Sequence, residues 1–575
     1  MSNIDLTLCN QCKQITVKSF RYCGHCGHCG VDGNDGNLLQ EKRDFSNLDY
    51  NLITKIASFL NSKYEPLKFI SYDGCDDSNG DDFDDDDDDD STSDIDIDSD
   101  SNSDNNSDDI DDDYNNTANP QKNDLYTFFA LNKHYRKYKA SFYCFNLNRT
   151  YSLKYYSNES NFCLRMQIDC VSRQLALSLS GTAVRDCTML GLAYVVNLSN
   201  CTNITDVSAL GNVHTLYLSK CTGITDVSAL GNVQTLDLSH CRGITDVSAL
   251  GNVHTLNLSW CKSITDVSAL GNVHTLNLSW CRGITDVSAL GNVHTLNLSF
   301  TGITDVSALG NVHTLDLSRC AGITDVSALG NVHTLNLRNC TGITDVSALG
   351  NVHDLSLWHC RGIEDVSALG NVHTLNLSEC TDITDVSALG NVHTLNLSHC
   401  RGITDVSTLG NVHTLNLRSC TGITDVSALG NVHTLNLWGC RGITDVSALG
   451  NVHTLDLSDC AGIEDVSALG NVHTLNLSWC TGITDVSSLI NVRNLNAHNC
   501  DSITLIRALN VVKLRASNCA NLRVVRSLPN VEHLNLSNCR KLKICDIPMK
   551  LDLLNLKNCK KLKEITYNKK RTILR

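Results

Sequence analysis

Val253-His-Thr-Leu-Asn-Leu-Ser-Trp-Cys-Lys-Ser-Ile-Thr-Asp-Val-Ser-Ala-Leu-Gly-Asn272 is one unit of a pattern of about twenty residues that recurs, with few changes, from about residue 197 to residue 560. A fixed period of that length marks a solenoid: no unit can bury its apolar side alone, so neighbours stack into a continuous core. Within the unit, Thr255-Leu-Asn-Leu-Ser259 alternates apolar and polar residues, which predicts a short strand with Leu256 and Leu258 inward. Ile264, Val267 and Leu270 then recur every third residue, which predicts a tight turn or 3₁₀ segment on the far side. Asp266 stands where it can cap that turn, and Gly271 where it can end it. Parallel strands stacked at about 4.8 Å would make an arc on the order of 90 Å from some nineteen units.

The phrase Leu-x-x-Leu-x-Leu-x-x-Cys-x-x-Ile resembles the leucine-rich repeat, with Cys in a place often taken by Asn. The resemblance extends over residues 165–565. It implies a repeat solenoid with a parallel β-sheet on a concave face, short 3₁₀ or turn segments on a convex side, and a protein partner held on the concave face. One unit, at Phe300-Thr301-Gly302, lacks a residue and carries Thr301 where Cys is expected, which marks a local irregularity.

The formal net charge of −16 over 575 residues is misleading as an average. Residues 73–113 hold 22 aspartates and no Lys or Arg, and without them the remainder carries +6. Residues 73–120 therefore read as a disordered, solvated Asp-rich insert with too little apolar surface to fold. Residues 540–575 carry twelve Lys or Arg, the basic tail proper being 566–575. Met1-Ser-Asn-Ile-Asp has no apolar core of a signal peptide, and no apolar run approaches about 18 residues. An intracellular, cytoplasmic protein with no membrane association is expected, with its 29 cysteines reduced. The recurrent Asn-Leu-Ser triplets are then buried strand residues, not glycosylation sites.

Residues 1–40 form a Cys-rich module. Cys9-Asn-Gln-Cys12 and Cys23-Gly-His-Cys26 are two C-x₂-C pairs ten residues apart. Four thiolates at that spacing can close tetrahedrally on a structural Zn²⁺, and a metal can fold a segment too short for a core of its own. His25, His28 and Cys29 are spare ligands.

Residues 44–72 place Leu48, Leu52, Ile56 and Leu60 on one helical stripe, and residues 121–145 do the same with Leu125, Leu131 and Tyr135. The two pieces together resemble an F-box, the first its Leu-rich opening and the second its Asp-Leu…Val-x-Lys-x-Trp-Arg end, read here as Asp124, Leu125, Leu131, Lys133, Tyr135 and Arg136. Asp49 replaces the expected proline, Tyr135 replaces tryptophan, and the acidic insert splits the module. The resemblance implies docking of these residues on a Skp1-type adaptor of a cullin ubiquitin ligase. The alternative is an interaction scaffold in which the same helices only cap the solenoid.

Eighteen cysteines recur at one position of the unit (Cys201, Cys221, Cys241 and onward), which predicts a structural ladder inside the stack. One histidine per unit (His254, His274, His294 and onward) precedes the strand. Such a row could titrate or bind metal, but units this alike arise by duplication, which copies a residue without a functional reason. The variable positions just before the cysteines say more. All five tryptophans fall there, and Trp and Arg dominate interface energetics. Trp260, Trp280, Phe300, Arg338, Trp358, Arg418, Trp438 and Trp479 are thus the predicted contact residues for an unknown protein target, with Trp260, Trp280 and Phe300 in adjacent units. No nucleophile–base pair, phosphate loop or paired-acid motif is present, so no enzymatic activity is expected. The basic end lacks interleaved aromatics for base stacking beyond Tyr567, so nucleic acid is not an expected partner.

Overall fold

The computed structural model describes residues 175–547 apart from Ala508, residues 551–567 and 570–573, and short pieces at 6–8, 15–17, 145–147, 149, 152, 153 and 156. The chain divides into two units, Met1–Leu177 and Ser178–Arg575. In the first, Leu6–Leu8 pairs antiparallel with Ile15–Val17, and Phe145–Leu147 pairs in parallel with the strand that begins at Leu175. The zinc candidates Cys9, Cys12, Cys23 and Cys26, the Asp-rich insert, and the helix candidates Leu48, Leu52, Ile56, Leu60, Leu125, Leu131 and Tyr135 lie outside the described residues. Phe145, expected at the end of the second helix, belongs to a strand instead.

The second unit is a repeat solenoid. Nineteen three-residue strands, from Val195–Asn197 to Leu553–Asn555, pair in parallel, each with the next unit's strand and in register, so that Leu256 faces Leu276 and Leu276 faces Leu296. The ladder continues beyond the strand: the Leu258 N–H donates to Asn277 O at 2.8 Å and the Trp260 N–H to Ser279 O at 2.9 Å. Val253, Leu256, Leu258, Cys261, Ile264, Val267 and Leu270 are all buried. Each such aliphatic side chain contributes about 1.5–3 kcal/mol relative to exposure, and it does so only because a neighbouring unit covers it.

The far side carries 3₁₀ turns such as Ser268–Asn272. Asp266 caps as expected, its Oδ1 accepting the Ser268 N–H at 2.9 Å. Gly271 does not end the turn through a left-handed conformation: it lies inside the 3₁₀ segment, and its equivalent Gly251 is right-handed (φ −61°, ψ −16°), as are Gly211 and Gly231. Its role is steric. A Cβ on Gly271 would sit 2.4 Å from the carbonyl oxygen of Ala289 in the next unit.

From Leu505 onward the far side changes from 3₁₀ turns to strands, contrary to the uniform turn predicted. Leu505–Arg507, Val524–Arg526, Ile544–Ile547 and Glu564–Tyr567 pair in parallel, and Lys570–Ile573 closes this second sheet antiparallel. Here Asp-Val-Ser-Ala-Leu-Gly gives way to runs such as Leu522-Arg-Val-Val-Arg526, whose β-branched residues and alternation suit extended backbone.

The repeated cysteines form a ladder within the core. The Cys261 thiol donates to Leu238 O at 3.1 Å in the preceding unit, and the Cys281 thiol to Leu258 O at 3.1 Å. Burial pushes the Cys281 thiol up to about 12. At the shortened unit the Thr301 hydroxyl turns to its own Leu298 O at 2.6 Å, an oxygen that Cys320 also reaches at 3.2 Å.

Candidate functional site

The residue before each repeated cysteine has a left-handed backbone: φ is 64° at Trp260 and Trp280, 58° at Phe300, 61° at Arg319 and 66° at Trp479. In this conformation the residue's N–H reaches the carbonyl of the next unit, as Trp280 N–H does to Ser299 O at 2.9 Å. Left-handed backbone costs roughly 1–2 kcal/mol for most L-residues and least for Gly and Asn. At the ends of the array the position is Asn (Asn200, Asn499, Asn518, Asn538, Asn558). Between them it also takes Asn339, Gly439 and Asp459, which suit this backbone, but in four adjacent units it carries His240, Trp260, Trp280 and Phe300, bulky residues that gain nothing from it. The variability of the position was visible in the sequence; its strain was not, although the terminal asparagines were the available signal.

The rings brought together here stack on one another. His240 lies 5.2 Å from Trp260, Trp260 4.2 Å from Trp280, and Trp280 3.8 Å from Phe300, centroid to centroid and within 16° of parallel. Lys262, Arg282 and Arg319 lie over Trp260, Trp280 and Phe300 at 5.2, 5.2 and 4.9 Å. One position earlier in the unit, Arg338 covers Trp358 at 3.7 Å and Arg418 covers Trp438 at 3.8 Å. Among the predicted contact residues, Trp260, Trp280 and Phe300 therefore form one contiguous group, and Arg338–Trp358 and Arg418–Trp438 form two pairs. Trp479 stands apart, 54% exposed, with His498 edge-on at 6.1 Å. Trp260 and Trp280 thus have rings stacked on both sides, Trp358 and Trp438 each have one guanidinium laid over the ring, and the Trp479 ring stays open to solvent.

A second row lies at the other end of the strands. Twelve imidazoles from His254 to His473 stack at 4.6–4.8 Å. In ten of them Nδ1 lies 3.2–3.3 Å from the hydroxyl of the following Thr. The row is broken once: His353 is followed by Asp354, with His353 Nδ1 3.2 Å from Asp354 Oδ1. Partial burial raises the Asp354 carboxyl, but hydrogen bonding from Thr374 and His353 outweighs it and holds the group below its usual value. His333, His353 and Asp354 each place one donor atom within 4.8 Å of the others. Sequence reasoning took the histidine row as copied by duplication and passed over this exception. The signal was Asp354 itself, in a row where every other such histidine from His254 to His473 is followed by Thr.

Residues 232–251 and 252–271 match the family model described as Leucine Rich repeat. Neighbouring units carry the same residues in the same places as the two matched units. No curated protein matches the chain. Among solved structures, the chain is similar to an internalin, inlF, of Listeria monocytogenes (23% identity, 49% of this chain and 86% of that one, TM-score 0.35). It is also similar to the functional domain of InlJ of the same organism, described as including a cysteine ladder (21% identity, 56% and 70%, TM-score 0.28). A leucine-rich-repeat protein of Leptospira interrogans matches at 17% identity over 68% and 94%, with a TM-score of 0.30. No helix among the described residues is long and apolar enough to cross a membrane.

Proposed function

We propose that this chain is a non-catalytic protein-interaction scaffold that holds a protein target along the ridge of Trp260, Trp280 and Phe300, extended by Arg338–Trp358, Arg418–Trp438 and Trp479. The observation that carries this reading is the stack of Trp260, Trp280 and Phe300, three large rings held in adjacent units at left-handed positions that Asn200, Asn339 and Asn499 fill with a residue better suited to that backbone. Strain kept against an easy alternative points to a use for the side chain. The test replaces Trp260, Trp280 and Phe300 together by Asn, which suits the backbone. The triple variant should fold and lose a crosslinked target that the parent retains; a target held equally by both would exclude the ridge.

The F-box-like segments favour a narrower form of this reading. Leu48, Leu52, Ile56, Leu60, Leu125, Leu131 and Tyr135 would dock on a Skp1-type adaptor, making the chain an intracellular substrate receptor of a cullin ubiquitin ligase. The two C-x₂-C pairs, Cys9, Cys12, Cys23 and Cys26, would hold a structural Zn²⁺ in this scheme. Deleting residues 44–140 should abolish co-purification with Skp1 and leave the array folded. Unchanged co-purification would leave only the scaffold.

A further inference from the structure

We infer that His333, His353 and Asp354 form a binding site for a divalent transition-metal ion of the Zn²⁺ class on the surface of the repeat array. His353 Nδ1 and Asp354 Oδ1 are 3.2 Å apart. At ordinary Zn–N and Zn–O lengths of about 2.0–2.2 Å, two donors at that separation subtend roughly 100° at the metal, close to tetrahedral. The ring of His333 stacks on that of His353 at 4.7 Å, and its donor atom lies within 4.8 Å of the other two. Parallel rings cannot both aim an in-plane nitrogen at one ion, so the exposed His333 ring would turn out of the stack to bring its donor to the ion.

The donor set itself selects the ion. Two neutral imidazoles and one carboxylate suit Zn²⁺ and its neighbours in the first transition series, and not Ca²⁺ or Mg²⁺, which take oxygen ligands. Three protein ligands leave a fourth position open to water or to a side chain of a bound partner. Elsewhere along the row, stacked histidines offer pairs of nitrogens beside a neutral Thr hydroxyl, without the charge that a carboxylate brings to a cation.

The unit that carries Asp354 departs from the common pattern at Ser356, Trp358 and Glu364 as well. Trp358 is the tryptophan that Arg338 covers at 3.7 Å, and His359 Nδ1 meets Glu379 at 3.0 Å. The ion site thus shares a unit with part of the proposed contact ridge, although its existence does not depend on that ridge.

The experiment is equilibrium dialysis of the full chain against Zn²⁺, with bound metal per chain counted by mass spectrometry. Asp354→Thr restores the residue found throughout the row and should fold as the parent does, as circular dichroism would show. At a Zn²⁺ concentration that saturates the parent, D354T and His333→Gln should each bind one ion fewer per chain, and His433→Gln should bind the parent's number. Zinc held by the N-terminal cysteines appears equally in all four proteins and cancels. Equal stoichiometry in D354T and the parent would overturn the site. Loss in D354T but not in H333Q would overturn the three-ligand assignment, and loss in H433Q would show that the whole row binds metal without a distinct site.

Discussion

The indole of Trp280 lies 3.8 Å from the ring of Phe300, centroid to centroid, with their planes 16° apart, while the Trp280 backbone is left-handed at φ 64°. Favourable ring packing and unfavourable backbone thus meet in one residue, and the balance should differ along the ridge. Trp280→Asn loses two ring stacks of about 0.5–1.5 kcal/mol each and should lower the thermal midpoint despite relieving the backbone. Trp479→Asn gives up only the edge-on contact with His498 and should hold or raise it. Midpoints by circular dichroism that fall equally for both would show that strain is negligible.

The turn glycines should divide by what their Cβ would meet. Gly271→Ala drives a methyl to 2.4 Å from Ala289 O, a backbone atom that cannot swing away, and should cost about 1–3 kcal/mol. Gly302→Ala meets nothing nearer than Arg282 O at 3.6 Å and should be close to neutral. Urea denaturation of the two variants beside the parent makes the comparison, and equal losses would contradict the steric account.

Thiol labelling should follow burial along the cysteine ladder. Cys261, Cys281 and Cys400 are fully buried, whereas Cys559 in the last unit is only partly covered and is pushed up less, to about 11. Alkylation of the native protein at pH 8, mapped by peptide mass spectrometry, should reach Cys559 first among the array cysteines. Uniform labelling of the ladder would mean that the array opens readily.

Acid should weaken the array through the row of aspartates that runs from Asp206 to Asp485. The Asp266 carboxylate accepts the Ser268 N–H and the Ser268 hydroxyl, which hold it below its ordinary value of 3.8, and its neighbours behave alike. A folded-state value below the unfolded one gives stability that is fully present above about pH 4 and is lost as pH falls through the depressed value. Thermal midpoints should therefore drop steeply below pH 4. Replacing Asp266, Asp286 and Asp305 by Asn keeps the Oδ1 acceptor and removes the titration, so the drop should be shallower. An unchanged slope would place the acid sensitivity elsewhere.

How far the sequence could be read follows from what each residue answers to. Leu256, Leu258, Ile264 and Cys261 answer to burial, which is periodic, and periodicity shows in the letters alone. Gly271 answers to Ala289 in the next unit, so its steric role could not be seen without the distance between units and was mistaken for a helix end. Trp260 was picked out by its type, but its left-handed backbone goes with an inter-unit hydrogen bond that no single unit contains. Asp354 was hidden by the regularity around it, because a row read as copied discourages attention to its one exception. The change to strands after Leu505 was legible in the β-branched residues of 522–526, yet the dominant pattern was carried through them.

The clearance beside each turn glycine repeats almost unchanged: a Cβ would come within 2.4 Å of Ala269 O at Gly251 and 2.5 Å of Ala448 O at Gly430. Every junction between such units is therefore interchangeable. A unit removed from the middle, or an extra one inserted, leaves new junctions like the old, so recombination within the gene can lengthen or shorten the array while keeping its stacking. What such an event would disturb is the order of side chains along the ridge: splitting Trp280 from Phe300, or His333 from His353, changes the surface while leaving the scaffold intact.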